Sequence, residues 1–523
     1  MDLWQRITSH MNPPVFFGSA GVIVAFVLFG TLFTETAGDA FGAIQSFLVS
    51  TFGWFYVLTA SLLLIFVLYL LLSEMGGIRL GGPKAVPEFG YLTWFSMMMA
   101  AGMGIGIVFF GVAEPMQHFA GSPFSEGGTE ADVTTAMRIT FYHWGLHPWA
   151  IYAAIAMPLA YFHFRYELPL APRSLLYPLI GDRIHGPIGH AVDILCTVGT
   201  LFGVATSLGL GAMQINTGLS ELIGLDESTG VQVILIAVIT AIATVSVVSG
   251  IHVGIRRLSE FNIGLTGCVL LFVLILGPTL YLLELFVTSL GAYLQHLPEM
   301  SFWVDPSDDR WQGNWTLFYW SWWISWSPFV GVFVARISKG RTLREFILAA
   351  FIVPTLMGFL WFSVIGGTGI WMELNGVADL TQHIRGEDAN PRLALFEVLG
   401  QLPLVKVLWG VATLLIVVFF ITSSDSGSLV NDMVTSGGDP NPLRSQRVFW
   451  ALSEGAVAIT LLLAGTEGEG LLALRTASLT TGLPMSVFLL VASFGLLRAL
   501  RIDYQTRGRV EVEQLTGDED TEK

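Results

Sequence analysis

Between Trp315 and Phe333 the chain reads WTLFYWSWWISWSPFVGVF, with Trp315, Trp320, Trp322, Trp323 and Trp326 inside twelve residues, beside Phe318 and Tyr319. At 3.6 residues per turn, Phe318, Trp322 and Trp326 fall on one face of a helix. Ring faces gathered on one wall attract a cation that has no hydrogen bonds to donate. A quaternary ammonium is the usual guest, and each ring contributes about 0.5–2 kcal/mol. The competing reading of this segment, taken alone, is an aromatic belt at the lipid–water interface. Ser327 and Pro328 follow directly, and the missing proline donor predicts a helix break at membrane depth.

A second cluster turns the balance toward a cation cage. FYHWGLHPWAIY, residues 141–152, supplies Trp144, Trp149 and Tyr152 around Pro148. His143 and His147 have the i, i+4 spacing of metal ligands, but no third ligand lies nearby, so packing or hydrogen bonding is favoured and no transition metal is expected. Residues 100–115, AAGMGIGIVFFGVAEP, place Gly102, Gly104 and Gly106 in a hydrophobic run, where each glycine weakens a helix by about 0.8–1 kcal/mol against alanine. No strand precedes them, so this is not a dinucleotide fingerprint. Two readings stay open: close helix packing through the Gly102/Gly106 pair, or an unwound segment offering free N–H groups and carbonyls to a ligand. In FFITSSDSGS, residues 419–428, Thr422, Ser423, Ser424, Asp425 and Ser426 crowd an otherwise apolar run. Such groups mark an ion path, with a helix cap as the alternative for Asp425. From Thr200 to Gln214, small residues and hydroxyls suggest close packing, with the hydroxyls bonded to carbonyls one turn back.

These segments need a membrane to position them. The 523 residues have a mean hydropathy of +0.66 and only 12% charged residues, which excludes an ordinary soluble protein. Twelve apolar runs are long enough to cross a bilayer, at roughly 15–33, 54–72, 91–112, 137–160, 190–211, 231–249, 262–283, 315–335, 346–372, 405–430, 447–465 and 471–497. The first is read as a retained span, not a signal peptide. Spans three and eight carry the expected breaks and lie five spans apart, which fits two helices followed by an inverted repeat of five plus five. The chain then divides into residues 1–90 with two scaffold helices, 91–290 with spans three to seven, 291–500 with spans eight to twelve, and a short acidic tail, 501–523. Of the 25 Lys and Arg, nineteen fall on the side of the N-terminus, so both termini are expected in the cytoplasm and the protein in the plasma (inner) membrane. The net charge of −15 argues against nucleic acid. Cys196 and Cys268 lie in apolar runs and are expected to be buried thiols with no disulfide framework.

At GMGIG with FFGVAEP, HWGLHPWAIY, FYWSWWISWSPFVGVFVARISKGRTLREF and FFITSSDS, the sequence resembles the betaine/choline/carnitine transporter family from about residue 12 to about residue 500. The resemblance implies an all-α membrane protein of twelve transmembrane helices with a LeuT-like core, alternating access and a homotrimer. It implies a substrate box at Trp144, Trp149, Tyr152, Phe318, Trp322, Trp323 and Trp326, against the glycine stretch Gly102, Met103, Gly104 and Gly106. It further implies a sodium site at Ala100, Met103, Phe419, Thr422 and Ser423, whose neutral hard oxygens suit Na⁺ better than a divalent ion. A second sodium site of the family matches at Thr200 and Phe329, but its second threonine is Val204 here, which puts two-sodium stoichiometry in doubt. Some choline-transporting relatives carry an acid where this chain has Gly106, so glycine favours a zwitterion such as glycine betaine.

The reading is therefore a secondary transporter that imports a quaternary-ammonium compatible solute, with Na⁺ as coupling ion and no cofactor. Proton-coupled choline uptake and carnitine/betaine exchange are the alternatives. A membrane-embedded enzyme would need a catalytic constellation that the spans lack, and a ligand-shaped cage argues against a channel. Osmosensing members carry long basic C-terminal extensions. The tail here has four basic and seven acidic residues from Arg501 onward, so its acidic end is expected to be disordered and not to act as an osmotic switch.

Overall fold

The computed structural model describes residues 11–102, 104–249, 254–305, 309–385, 389–439, 442–465 and 470–517. Among them β pairing is confined to isolated bridges, Arg79 with Thr342 and Ser122 with Ser125, and the rest of the regular structure is helical. This is what lipid demands, because a helix satisfies its backbone groups within one segment. The protein is an all-α membrane protein.

The long helices, in chain order, are α1 (Pro13–Leu32), α2 (Thr34–Leu72), α3 (Tyr91–Gly102), α4 (Ile105–Phe119), α5 (Val133–Trp144), α6 (Leu146–Tyr166), α7 (Pro187–Ile223), α8 (Thr229–Ser249), α9 (Gly254–Leu276), α10 (Thr279–Phe302) and α11 (Phe318–Arg336). After α11 come α12 (Leu343–Leu374), α13 (Val405–Thr435), α14 (Arg444–Ala464) and α15 (Gly470–Gly517). Among the described residues nine helices are long and apolar enough to cross a membrane by themselves. The three expected spans missing from that set are the third, fourth and eighth. The third is cut between Gly102 and Ile105, the fourth at Gly145, and the eighth is short and dense in indoles and hydroxyls. These three carry the glycines and both aromatic clusters.

Burial separates centre from rim. The most apolar stretch of α7 is 89% buried, whereas those of α1 and α9 are 22% buried and face outward. α13 packs along α7, and α11 lies between α6, α7 and α15. The glycine break of α3/α4 is thereby enclosed by α6, α11 and α13.

Several expectations change. α2 starts at Thr34, twenty residues before the expected span, and its 39 residues reach about 58 Å at 1.5 Å each, well beyond a 30 Å hydrocarbon core. Span seven ends at Leu276, because Gly277 and Pro278 stop the helix, and α10 follows as an element the apolar runs did not announce. Residue 290, the expected domain boundary, lies inside α10. The break expected at Pro328 does not occur, since α11 runs unbroken through it. The Ser327 hydroxyl donates to the Ile324 carbonyl at 2.7 Å, the acceptor that residue 328 would have used. Interruptions in this half are π-turns instead, at Gly313–Leu317, Leu348–Ile352 and Phe362–Gly366. Cys196 is buried, but Cys268 is exposed on α9. The tail is not disordered as expected through Gly517, because α15 continues that far. Asp503 of α15 pairs with Arg165 of α6 at 2.7 Å, fixing the start of that extension to the bundle.

Candidate functional site

Each of the three glycines faces an indole. A Cβ added at Gly102 would collide with the Trp149 ring. One at Gly104 would lie 2.9 Å from Trp326 Cη2, and one at Gly106 would lie 2.6 Å from Trp322 Cη2 and 3.0 Å from Trp144 Cη2. Any side chain at these positions would have to displace a ring, so close approach of backbone to indole explains the glycines. The helix is broken between Gly102 and Gly106, with Gly104 extended at φ −111° and ψ −158°, so the pair does not form a continuous helical packing face.

The seven expected rings come together. Trp322 stacks on Phe318 at 5.3 Å and on Trp323 at 4.7 Å between centroids. Trp323 meets Trp144 edge-on at 5.0 Å and Tyr152 at 6.3 Å, while Tyr152 meets Trp149 at 5.6 Å and Trp326 at 6.2 Å. All seven are at most 8% exposed, which removes the interfacial-belt reading for them. The space between Trp144, Trp149, Tyr152 and Trp323 is only about 10 Å³, no more than one water needs. Admitting a trimethylammonium group there requires the rings to part.

Two cage donors are locked elsewhere. Trp323 Nε1 donates to the His143 carbonyl at 3.1 Å and Trp322 Nε1 to the Gly203 carbonyl at 3.2 Å. Tyr152 Oη and Trp326 Nε1 are buried without a hydrogen-bond partner among the described residues. Buried donors of that kind are costly unless something accepts from them.

Sequence reasoning passed over the group that ties the clusters together. Glu114, fully buried on α4, accepts from Trp144 Nε1 at 2.6 Å and from the Tyr319 hydroxyl at 2.5 Å through one oxygen. Its other oxygen lies 2.7 Å from His143 Nδ1 and 3.3 Å from His118 Nε2. His143 Nε2 in turn meets the Thr316 hydroxyl at 3.0 Å. The ligand atoms of Glu114, His118 and His143 lie within 4.8 Å of one another, close enough for an ion. Both carboxylate oxygens, however, are already met by these four groups, which describes a hydrogen-bond hub that orients Trp144 and Tyr319. A glutamate inside a hydrophobic run was the available signal. His147 stands apart: Gly145 separates α5 from α6, the i, i+4 relation to His143 is lost, and its ring stacks on Trp320 at 5.1 Å.

For the expected sodium ligands, Met103 and the Ala100 side chain lie outside the described residues. Ser423 reaches the glycine break, its Oγ 3.7 Å from a Cβ built on Gly104. Thr422 donates to the Val418 and Phe419 carbonyls at 3.0 and 3.2 Å, which leaves its lone pairs available. Thr200 Oγ1 is buried without a partner among the described residues, Phe329 packs 5.4 Å from Trp326, and Val204 stands one turn beyond Thr200 on α7. Asp425 is mid-helix in α13, not a cap, and accepts from Ser246 of α8 at 2.5 Å.

A polytopic helical protein with an aromatic cluster closed around a helix break has the make-up of a membrane transporter. The sequence profile for betaine/carnitine/choline family transporters (BCCT) matches residues 14–505, and the chain belongs to that family. It is 42% identical over 490 residues to the glycine betaine transporter OpuD of Bacillus subtilis, covering 93% of this chain and 94% of that protein. It is 43% identical over 503 residues to a glycine betaine/proline/choline transporter of Vibrio parahaemolyticus, covering 93% and 89%. An uncharacterized transporter of Mycobacterium tuberculosis is 45% identical over 505 residues, covering 96% and 84%.

Proposed function

We propose that the protein imports glycine betaine, or a similar trimethylammonium zwitterion, by alternating access coupled to Na⁺. The observation that carries this is the contact of Gly102, Gly104 and Gly106 with the indoles of two different spans. A cation among those rings has an adjacent backbone free of side chains. A carboxylate beside it can accept from backbone N–H groups, from Tyr152 Oη and from Trp326 Nε1. Ala100, Met103, Phe419, Thr422 and Ser423 are the sodium ligands of this proposal, with one ion per substrate because Val204 offers no oxygen. Cytoplasmic termini, residence in the plasma membrane, a twelve-span repeat core and a homotrimer complete the reading.

Proteoliposomes holding the purified protein should accumulate glycine betaine in a saturable manner when an inward Na⁺ gradient is imposed. Equal uptake without any ion gradient would sink the coupled mechanism. Proton coupling is the second reading, and one observation favours it. Asp425 Oδ1 on α13 and Glu454 Oε1 on α14 are buried without hydrogen-bond partners among the described residues, and a Cβ built on Gly427 would touch both Val204 and Glu454. Full uptake in Na⁺-free buffer under a proton gradient would select it.

Gly106→Asp tests the substrate end. The new side chain must push Trp322 and Trp144 apart and leaves a carboxylate between them. Maximal uptake should fall, while preference shifts from betaine toward choline, which lacks a carboxylate to be repelled. Unchanged competition profiles for the two compounds would show that residue 106 does not face the substrate.

A further inference from the structure

A cavity of about 650 Å³ lies on the side of the bundle where the sequence places the outer loops. Phe109, Phe110, Asn314, Trp315, Arg392 and Arg475 are among its walls. Its floor is shared with the aromatic box. Phe110 lines the cavity and lies 6.2 Å from Trp144, 6.4 Å from Phe318 and 6.4 Å from Trp322. A solute in the cavity is thus one layer of rings away from the cage.

The cavity holds two arginines in different states. Arg392 faces Glu227 at 3.8 Å and bonds Asn390 at 2.7 Å. Arg475, on α15, has no carboxylate partner among the described residues. Among the described residues its Nη1 reaches the Asn314 amide oxygen, at 3.4 Å, and its buried Nε has no partner. Its guanidinium carbon sits 5.2 Å from the centroid of Phe318, whose ring stacks on Trp322. An unpaired guanidinium within a membrane bundle is costly unless an anion meets it. The planar fork of arginine matches a carboxylate through two parallel hydrogen bonds.

We propose that Arg475 selects zwitterions on the way to the cage. It holds the substrate carboxylate at the cavity floor, while the trimethylammonium end lies over Phe110 and Trp315. This rests on the transport reading above and adds a specificity residue outside the seven-ring box. The same positive charge repels a bare cation, so Arg475 disfavours choline as well as favouring betaine. The two effects have opposite signs, which a purely structural role would not produce.

The test uses wild-type, Arg475→Gln and Arg475→Lys proteins, full-length, in proteoliposomes, with glycine betaine uptake and choline competition measured on each. In Arg475→Gln the KM for glycine betaine should rise about tenfold or more, the loss of a charge-assisted pair, with maximal rate nearly unchanged. The inhibition constant for choline should fall in the same variant. Arg475→Lys keeps the charge and loses the fork, so choline should stay weak while betaine is weakened to an intermediate degree. Parallel loss of both ligands in Arg475→Gln, or no change in either, overturns the proposal while leaving the transport reading intact. Absence of uptake of either compound by the wild-type protein overturns the transport reading and this inference with it.

Discussion

Trp323→Ala and Trp326→Ala are each expected to reduce uptake to background in protein that still inserts in the membrane. Trp323 joins the two clusters: it stacks on Trp322, meets Trp144 and Tyr152, and bonds the His143 carbonyl. Its removal takes away a ring worth about 0.5–2 kcal/mol to a bound cation. It also leaves a hole that costs the fold about 3–5 kcal/mol. The second cost makes a control necessary. Trp323→Phe keeps an aromatic face, loses the indole hydrogen bond, and should retain part of the uptake with stability closer to wild type. The Trp326 indole N–H has no hydrogen-bond partner among the described residues and its ring lies against Gly104, so Trp326→Ala removes both a ring at the break and a buried unpartnered donor. The measurement is initial uptake rate against thermal stability of the purified protein. Near-wild-type rates in both alanine variants would mean that these rings pack the bundle and bind nothing.

The second large effect belongs to the hydroxyls of α13. Thr422→Ala combined with Ser423→Ala should raise the half-saturating Na⁺ concentration by about tenfold or more, each lost oxygen ligand being worth about 1–3 kcal/mol. Thr422 spends its proton on its own helix and keeps its lone pairs, and Ser423 Oγ stands next to Gly104. Loss of either hydroxyl therefore leaves the helix backbone paired, so the damage should appear in the ion dependence more than in the fold. Wild-type protein should show a Na⁺ dependence with a slope near one. A slope near two would require a second site despite Val204, and an unaltered Na⁺ curve in the double variant would remove these hydroxyls from the ion's surroundings.

Much of the site was legible in the chain because its signals are local. Indoles, glycines and hydroxyls are out of place in apolar runs, and their spacing on a helix follows from the helix itself. The same holds for most spans, where about twenty apolar residues suffice. The elements that escaped are those whose stability comes from elsewhere. Pro328 looked like a break because its lost hydrogen bond is visible in sequence, whereas the compensation by Ser327 depends on a side-chain rotamer inside the packed bundle. α10 has no long apolar run and exists because Gly277 and Pro278 turn the chain onto α5 and α2, which it packs against. Glu114 reads as an isolated acid beside His118 in α4 until α5 and α11 bring three further polar groups to it. Arg475 reads as one more outer-side basic residue until the bundle withholds a counter-charge from it. The amino-acid sequence by itself determined the membrane class, the family, the two aromatic clusters and the glycine stretch, since each is a property of neighbours along the chain. The tertiary structure alone decided which glycine meets which indole, where the buried carboxylate sits and which charge is left unpaired. Those are contacts between helices far apart in sequence, set by packing and by the need to satisfy every buried polar group.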